Sequence, residues 1–180
     1  QLLIGNGDGT FDPATAIAAT SLRSFGIAVA DYNRDGKADI AATDSDSNNV
    51  VIFLGNGNGT FQPPASFVVG PFAVGIAAAD FDDDGDVDLA VPRPGSDDVG
   101  ILLGDGTGAF GAAAYYATGD NPFEVAAADF DGNGTADLAV VDMDSDDLTV
   151  LLGNGDATFG SGVPYALGNT PRSVAAGDFN

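Results

Sequence analysis

Residues 29–61 read "VADYNRDGKADIAATDSDSNNVVIFLGNGNGTF" and hold two motifs. The first, "DYNRDGKAD" at 31–39, puts acidic or amide side chains at positions 1, 3, 5 and 9, with glycine at position 6. The second, "GNGNGTF" at 55–61, alternates glycine with amide residues and ends in phenylalanine. The first recurs as "DFDDDGDVD" at 80–88 and "DFDGNGTAD" at 129–137, with a truncated "DFN" at 178–180. Asp31, Asp80, Asp129 and Asp178 are therefore spaced by 49 residues. The second motif runs in phase as "GNGDGTF" at 5–11, "GDGTGAF" at 104–110 and "GNGDATF" at 153–159. Two distinct motifs in lockstep define a repeat, which takes precedence over any local reading.

Within one unit an apolar run such as "FGIAVA" enters the aspartate loop, and "DIAATD", "DLAVPR" or "DLAVVD" leaves it. A polar turn follows, then "VVIFLG", "VGILLG" or "LTVLLG", the glycine motif and a looser stretch. Short Val/Ile/Ala runs bounded by turn residues predict strands, four per unit, here A to D. Four strands in a unit of 49 residues, repeated, predict an all-β chain built as a β-propeller of four-stranded antiparallel blades. The sequence holds about 3.6 such blades, with parts at 1–25, 26–74, 75–123, 124–172 and 173–180. Strand A, read as "IAVAD", "IAAAD", "VAAAD" and "VAAGD", is small enough to crowd around an axis. A β-solenoid is the alternative, but its coils are shorter and less rich in hairpin turns.

The glycine motif joins strands C and D, where Asn-Gly and Asp-Gly supply the positive φ of tight turns. Phosphate loops precede a helix and bring a lysine; here a strand precedes, a strand follows and no lysine is near in the sequence, so the turn reading is preferred. Phe11, Phe61, Phe110 and Phe159 are expected to plug the space between packed sheets.

Composition narrows function. The chain has 180 residues, 5 Lys plus Arg, 27 Asp plus Glu, and a formal charge of −22. That charge argues against nucleic acid or an anionic membrane surface as partner. No apolar run is long enough to insert in a membrane. Only Glu124 is glutamate, and aspartate is the residue of turns and short metal loops. Histidine and cysteine are absent, so a Ser-His-Asp triad, a cysteine nucleophile and His-ligated metals are excluded. A paired-carboxylate glycosidase remains as the catalytic alternative. Turns and loops already account for almost every aspartate, so no catalytic residue is assigned and an enzyme is not expected. The sequons at Asn58 and Asn133 read as accidents of turn composition.

The aspartate loops suit calcium, which takes about 6–8 oxygens at about 2.3–2.6 Å. The first copy offers Asp31, Asn33, Asp35 and Asp39 with the Lys37 carbonyl. The second offers Asp80, Asp82, Asp84 and Asp88 with the Asp86 carbonyl, and the third Asp129, Asp131, Asn133 and Asp137 with the Thr135 carbonyl. Gly36, Gly85 and Gly134 allow the sharp turn. An EF-hand would need helices and a glutamate at position 12, where Ala42, Val91 and Val140 stand. The ninth-position aspartate is expected to close the site instead. A metal-free Asp/Asn/Gly turn is the bland alternative. Six acids packed within 80–88 argue for a cation, and three Ca²⁺ are expected, one per complete loop.

The text at 29–61 and its copies resemble the FG-GAP/VCBS repeats, which build the calcium-binding propeller of integrin α-chains and of many secreted proteins. The resemblance spans the whole chain. It implies a propeller, calcium in each A–B loop, and an extracellular or cell-surface setting. Family members adhere to proteins, bind sugars or flank enzymes. A propeller needs about 4–8 blades, so the expectation is a segment of a longer propeller, or several copies closing one ring.

The expected function is a calcium-stabilised binding or adhesion module for a carbohydrate or protein ligand. A structural or self-assembling surface element and an accessory part of a polysaccharide-active enzyme are the alternatives. Hairpin alternation places the A–B loops and C–D turns on one face and the B–C and D–A connections on the other. The second face should then carry Phe67, Phe72, Tyr115, Tyr116, Phe123 and Tyr165, with Asp97, Asp98, Asp146 and Asp147 in its turns. Those rings suit stacking on a sugar or gripping a protein, or else pack the blade edge.

Overall fold

The computed structural model describes residues 1–17 and 22–178. The twelve strands are β1 Ile27–Ala30, β2 Asp39–Asp44, β3 Asn49–Phe53, β4 Ala65–Val68, β5 Ala77–Ala79, β6 Asp88–Arg93, β7 Asp98–Leu102, β8 Ala114–Ala117, β9 Pro122–Ala128, β10 Asp137–Asp142, β11 Asp147–Leu151 and β12 Val163–Ala166. They form three four-stranded meanders, β1–β4, β5–β8 and β9–β12, each antiparallel throughout. These are three consecutive blades of a β-propeller, with the alanine-rich β1, β5 and β9 at the edge where successive blades meet.

Alternation along each strand makes both faces apolar, as a blade between two neighbours requires. In blade 1, Ala41, Val50 and Ile52 pack against Leu89, Val91 and Leu102 of blade 2. Ala90, Val99 and Ile101 of blade 2 then pack against Leu138, Val140 and Leu151 of blade 3. Burying each Val, Leu or Ile among them contributes roughly 1.5–3 kcal/mol. At the inner edge the backbones nearly touch. A Cβ on Gly26 would lie 2.7 Å from the Val74 carbonyl oxygen, and one on Gly75 would lie 2.8 Å from that of Phe123. The equivalent position in blade 3 is Glu124, whose carboxyl is raised above its ordinary value by burial.

Two of the motif phenylalanines, Phe110 and Phe159, seat between complete blades. Phe110 meets Tyr32 and Phe67 of the preceding blade edge-on, at 5.8 and 5.4 Å between ring centres. Phe159 repeats this one blade later with Phe81 and Tyr116, at 5.7 and 5.1 Å. Phe67 and Tyr116, expected on the ligand face, are therefore partners of these plugs, because their strands turn them toward the next blade. Phe11 departs from expectation: it is 62% exposed, with no preceding blade in this sequence to receive it.

The partial units at either end do not complete their strands. Within residues 1–17 only the bridges Leu2–Thr15 and Gly5–Phe11 form. Residues 173–178, read as a fourth strand A, carry no strand, and Phe179 and Asn180 of "DFN" lie outside the described residues. A ladder needs a neighbour, and this sequence supplies no strand B beside either segment.

The C–D motifs adopt positive φ as the Asn-Gly pattern predicts, at Gly57, Gly59, Gly106, Gly108 and Gly155. Ala157 stands where a glycine would recur and is forced to φ 61°. Left-handed backbone costs an L-residue about 1–2 kcal/mol, partly offset by the entropy of glycine in the unfolded chain. Ala157→Gly is thus expected to stabilise the chain by about 0.5–1 kcal/mol in urea denaturation. The bond from Ala157 N–H to the Phe81 carbonyl, 2.9 Å, does not depend on the side chain.

Candidate functional site

Each A–B loop folds around its own carboxylates. The position-1 aspartate caps the turn by accepting from the glycine N–H at position 6: Gly36 to Asp31 at 2.7 Å, Gly85 to Asp80 at 2.8 Å, Gly134 to Asp129 at 2.9 Å. Residues at positions 3 and 5 accept from N–H groups two residues on, as Asp82 does from Asp84 and Asp84 from Asp86. This is the local bonding that Asp and Asn favour in turns.

The ninth-position aspartate does something the sequence reading missed. Asp39, Asp88 and Asp137 are fully buried. One oxygen of each accepts from its own loop: Tyr32 N–H at 2.9 Å, Phe81 N–H at 2.8 Å, Phe130 N–H at 2.7 Å. The other accepts from the first glycine of the C–D motif: Gly55 at 2.6 Å, Gly104 at 2.8 Å, Gly153 at 2.8 Å. The glycine is required by contact, since a Cβ on Gly104 would lie 2.4 Å from the Val87 carbonyl oxygen. These aspartates therefore bolt the two motifs together, which explains why both recur in phase. The common spacing of 16 residues from Asp to Gly was the available signal.

In the second and third copies the predicted ligands converge. Oxygens of Asp80, Asp82 and Asp88 lie within 4.8 Å of one another, as do those of Asp129, Asp131 and Asp137. Position 5 of the second copy, Asp84, is not part of its cluster. In the first copy position 3 is the amide Asn33, and Asp35 is drawn aside by Lys37, whose Nζ lies 2.9 Å from its Oδ2. The Lys37–Asp35 contact also holds the Asp35 carboxyl below its ordinary value. The Asp86 side chain faces Arg34 of the neighbouring loop, 2.5 Å from its Nε, in an ion pair too poorly aligned for a hydrogen bond. Arg34 Nη2 donates to the Asp84 carbonyl at 3.3 Å, so this arginine ties blade 1 to blade 2.

The donors fit an oxygen-seeking cation. Asp80 Oδ1 is buried with no hydrogen-bond partner, an arrangement that is costly unless something charged faces it. Burial, followed by the charges of Asp82 and Asp80, pushes the Asp88 carboxyl up to about 6. Asp82 is raised as well, by burial first and then by Asp84 and Asp80. The clusters could hold a divalent metal ion through Asp80, Asp82 and Asp88 and through Asp129, Asp131 and Asp137.

On the opposite face Phe25, Phe72 and Phe123 border a shallow pocket with Arg23, Val74 and Met143. Phe25 and Phe72 are 50% and 60% exposed. Phe25 and Phe123 meet edge-on at 6.4 Å, and Phe72 is held at φ 58°. Tyr115 lies under the Arg93 guanidinium, 3.8 Å from its ring centre, and Tyr165 is 55% exposed on blade 3. Of the six expected face aromatics, only Phe72 and Phe123 therefore line one pocket. Phe25, which the sequence reading did not single out, joins them because it occupies the register of Phe123.

Tandem four-stranded blades carrying an acidic A–B loop define a repeat-built β-propeller protein. The FG-GAP-like repeat model matches at 1–42, 31–91 and 80–140, and the chain belongs to that family. No curated protein matches the sequence. Among solved structures, an Agrocybe aegerita lectin described as recognising non-reducing terminal N-acetylglucosamine aligns with a TM-score of 0.62 at 23% identity. That alignment covers 89% of this chain and 45% of the lectin, so the chain spans under half of that protein. The Photorhabdus luminescens Tc holotoxin pore aligns with a TM-score of 0.48 and 22% identity over 88% of this chain and 8% of its own. BBS1N, in its complex with ARL6DN, aligns with a TM-score of 0.45 and 16% identity over 86% and 58%. Among the described residues no helix is long and apolar enough to cross a membrane.

Proposed function

We propose that the chain is a calcium-stabilised extracellular binding module, a segment of a propeller whose B–C/D–A face takes a carbohydrate or protein ligand. The observation that carries the reading is the separation of two sites by face. The carboxylate clusters lie in A–B loops bolted to the C–D turns, and the exposed rings lie beside polar turns on the other side. In this reading calcium would be held by the loop carboxylates and would offset their mutual repulsion. The loops then organise the blade ends, and Phe25, Phe72 and Phe123 offer faces for a pyranose ring or an apolar side chain. The lectin with the same fold recognises a terminal sugar, which makes glycans the first ligand class to test.

A glycan array probed with the intact chain, with calcium and with EGTA, tests this. Binding that EGTA abolishes is expected. Phe72→Ala should reduce that binding at least tenfold while leaving the melting temperature within about 1 °C, because a 60% exposed ring adds little to the core. Array binding that Phe72→Ala leaves intact would place the ligand elsewhere.

A second reading, a self-assembling element, is supported by the open side of blade 3. Leu148 and Val150 take the register of the buried Val99 and Ile101, yet they border a groove with Phe130, Leu152 and Tyr165. A further blade, from a longer chain or another copy, would cover that groove as blade 3 covers blade 2. Ligand-free rings or fibres in light scattering would favour this reading over the first.

A further inference from the structure

The last residue of strand B and the first of strand C sit opposite each other in every blade: Asp44 with Asn49, Arg93 with Asp98, Asp142 with Asp147. The three blades treat this pair differently. In blade 1, Asp44 accepts from Arg23 N–H and Ser47 Oγ–H, and its neighbour Asn49 carries no charge. In blade 2 a cation is built in: Arg93 forks onto Asp98, Nε to Oδ1 at 2.7 Å and Nη2 to Oδ2 at 2.5 Å. That guanidinium fills the space beside Gly70, where a Cβ would lie 2.2 Å from its Nη1.

Blade 3 keeps the frame and loses the cation. Gly119 stands where Gly70 does; a Cβ on it would lie 2.4 Å from Ser145 Oγ, 2.8 Å from Asp147 Oδ1 and 2.9 Å from Asp142 Cβ. Two carboxylates thus face each other where blade 2 pairs a guanidinium with one. Asp142 is fully buried; its Oδ2 accepts from Thr149 Oγ1 at 2.7 Å, while its Oδ1 is buried without a well-aligned hydrogen bond, the Gly119 N–H and the Asp147 carboxyl being the other polar groups beside this carboxylate. Asp147 is half-buried and accepts from Ser145 Oγ at 2.9 Å, which leaves an approach from solvent. Among the described residues the ion pairs are Arg23–Asp46, Arg34–Asp86, Lys37–Asp35 and Arg93–Asp98, so no side-chain cation serves this pair.

From this substitution within the repeat we infer that Asp142 and Asp147 form a divalent-cation site at the junction of blades 2 and 3, on the face opposite the A–B loops. The orphaned Asp142 Oδ1 and the Asp147 carboxylate supply the charged ligands, and water completes a shell that hard cations fill with oxygen. Asp120 and Asp144, exposed at the rim and linked by Asp144 N–H to the Asp120 carbonyl at 3.2 Å, raise the local cation concentration. With two protein carboxylates, the affinity belongs with weak extracellular calcium sites, about 10⁻⁴–10⁻³ M. The site also bridges the D–A turn of blade 2 and the B–C turn of blade 3, so its cation would fasten one blade to the next.

Calcium alone is the probe, titrated through the millimolar range by equilibrium dialysis against the 180-residue chain. Asp142→Arg rebuilds the arrangement of blade 2, although Pro164 replaces the Tyr115 ring under the guanidinium. It is expected to bind one calcium fewer than the wild type and to melt at least as high in EGTA. Asp147→Asn changes a half-buried group and should lose the same single equivalent, which covers the case of a misfolded arginine variant. Asp129→Asn, in an A–B loop, should leave this equivalent untouched, so failure of the loop sites and failure of this one are told apart. Equal calcium binding by wild type, Asp142→Arg and Asp147→Asn would overturn the site and leave a carboxyl pair sharing a proton.

Discussion

Asp39→Ala is expected to cost about 3–5 kcal/mol even with calcium removed. Asp39 is fully buried, and its two oxygens are the acceptors for Tyr32 N–H and Gly55 N–H. Alanine leaves both donors buried without a partner, and a hydrogen bond to a charged group is worth about 1.5–3 kcal/mol. A domain is stable by about 5–15 kcal/mol, so one substitution would remove a large share of the total. Asp39→Asn keeps one acceptor oxygen and should lose about half as much. Urea denaturation in EGTA separates this role from metal binding. A loss below about 1 kcal/mol would mean that the bolt between the A–B loop and the C–D motif does not carry stability.

Phe159→Ala is the second large effect, about 3–5 kcal/mol by analogy with other buried phenylalanines. Phe159 is 9% exposed and touches Phe81 and Tyr116 across the junction of blades 2 and 3. Removing it leaves a cavity between two sheets that cannot close without parting the inner strands, where Gly75 abuts Phe123. Phe11→Ala, at the same motif position but 62% exposed, should change stability by less than about 0.5 kcal/mol. Equal effects at Phe11 and Phe159 would contradict blade-to-blade packing as the source of the difference.

The repeat made the blades legible because the motifs mark two turns of every unit, and strand alternation supplies the rest. The register follows as well: Ala41 and Ile52 face one way and Ala42 and Val51 the other. What the sequence could not convey was division of labour among like residues. All nine-residue loops end in aspartate, but the ninth position spends both oxygens on backbone N–H groups before any cation arrives. The aromatics of the D–A region looked alike, yet Phe67 and Tyr116 turn into the blade junction while Phe72 turns outward. That choice is set by which strand face each residue occupies and by the φ of 58° at Phe72, neither of which a composition of turn residues encodes. The Asp142–Asp147 pair was visible only by laying blade 3 over blade 2, where Arg93 holds the place.

Calcium held in the A–B loops would stabilise the folded chain, and a calorimetric melt with calcium and with EGTA tests this most directly. A ligand bound only by the folded form adds about 2.7 kcal/mol per site at a hundredfold excess over its dissociation constant. For a chain of this size each kcal/mol is worth about 2–4 °C. The melting temperature is therefore expected to rise by at least about 5 °C in calcium, and by less in Asp80→Asn and Asp129→Asn. Superimposable melts with calcium and with EGTA would contradict the assignment.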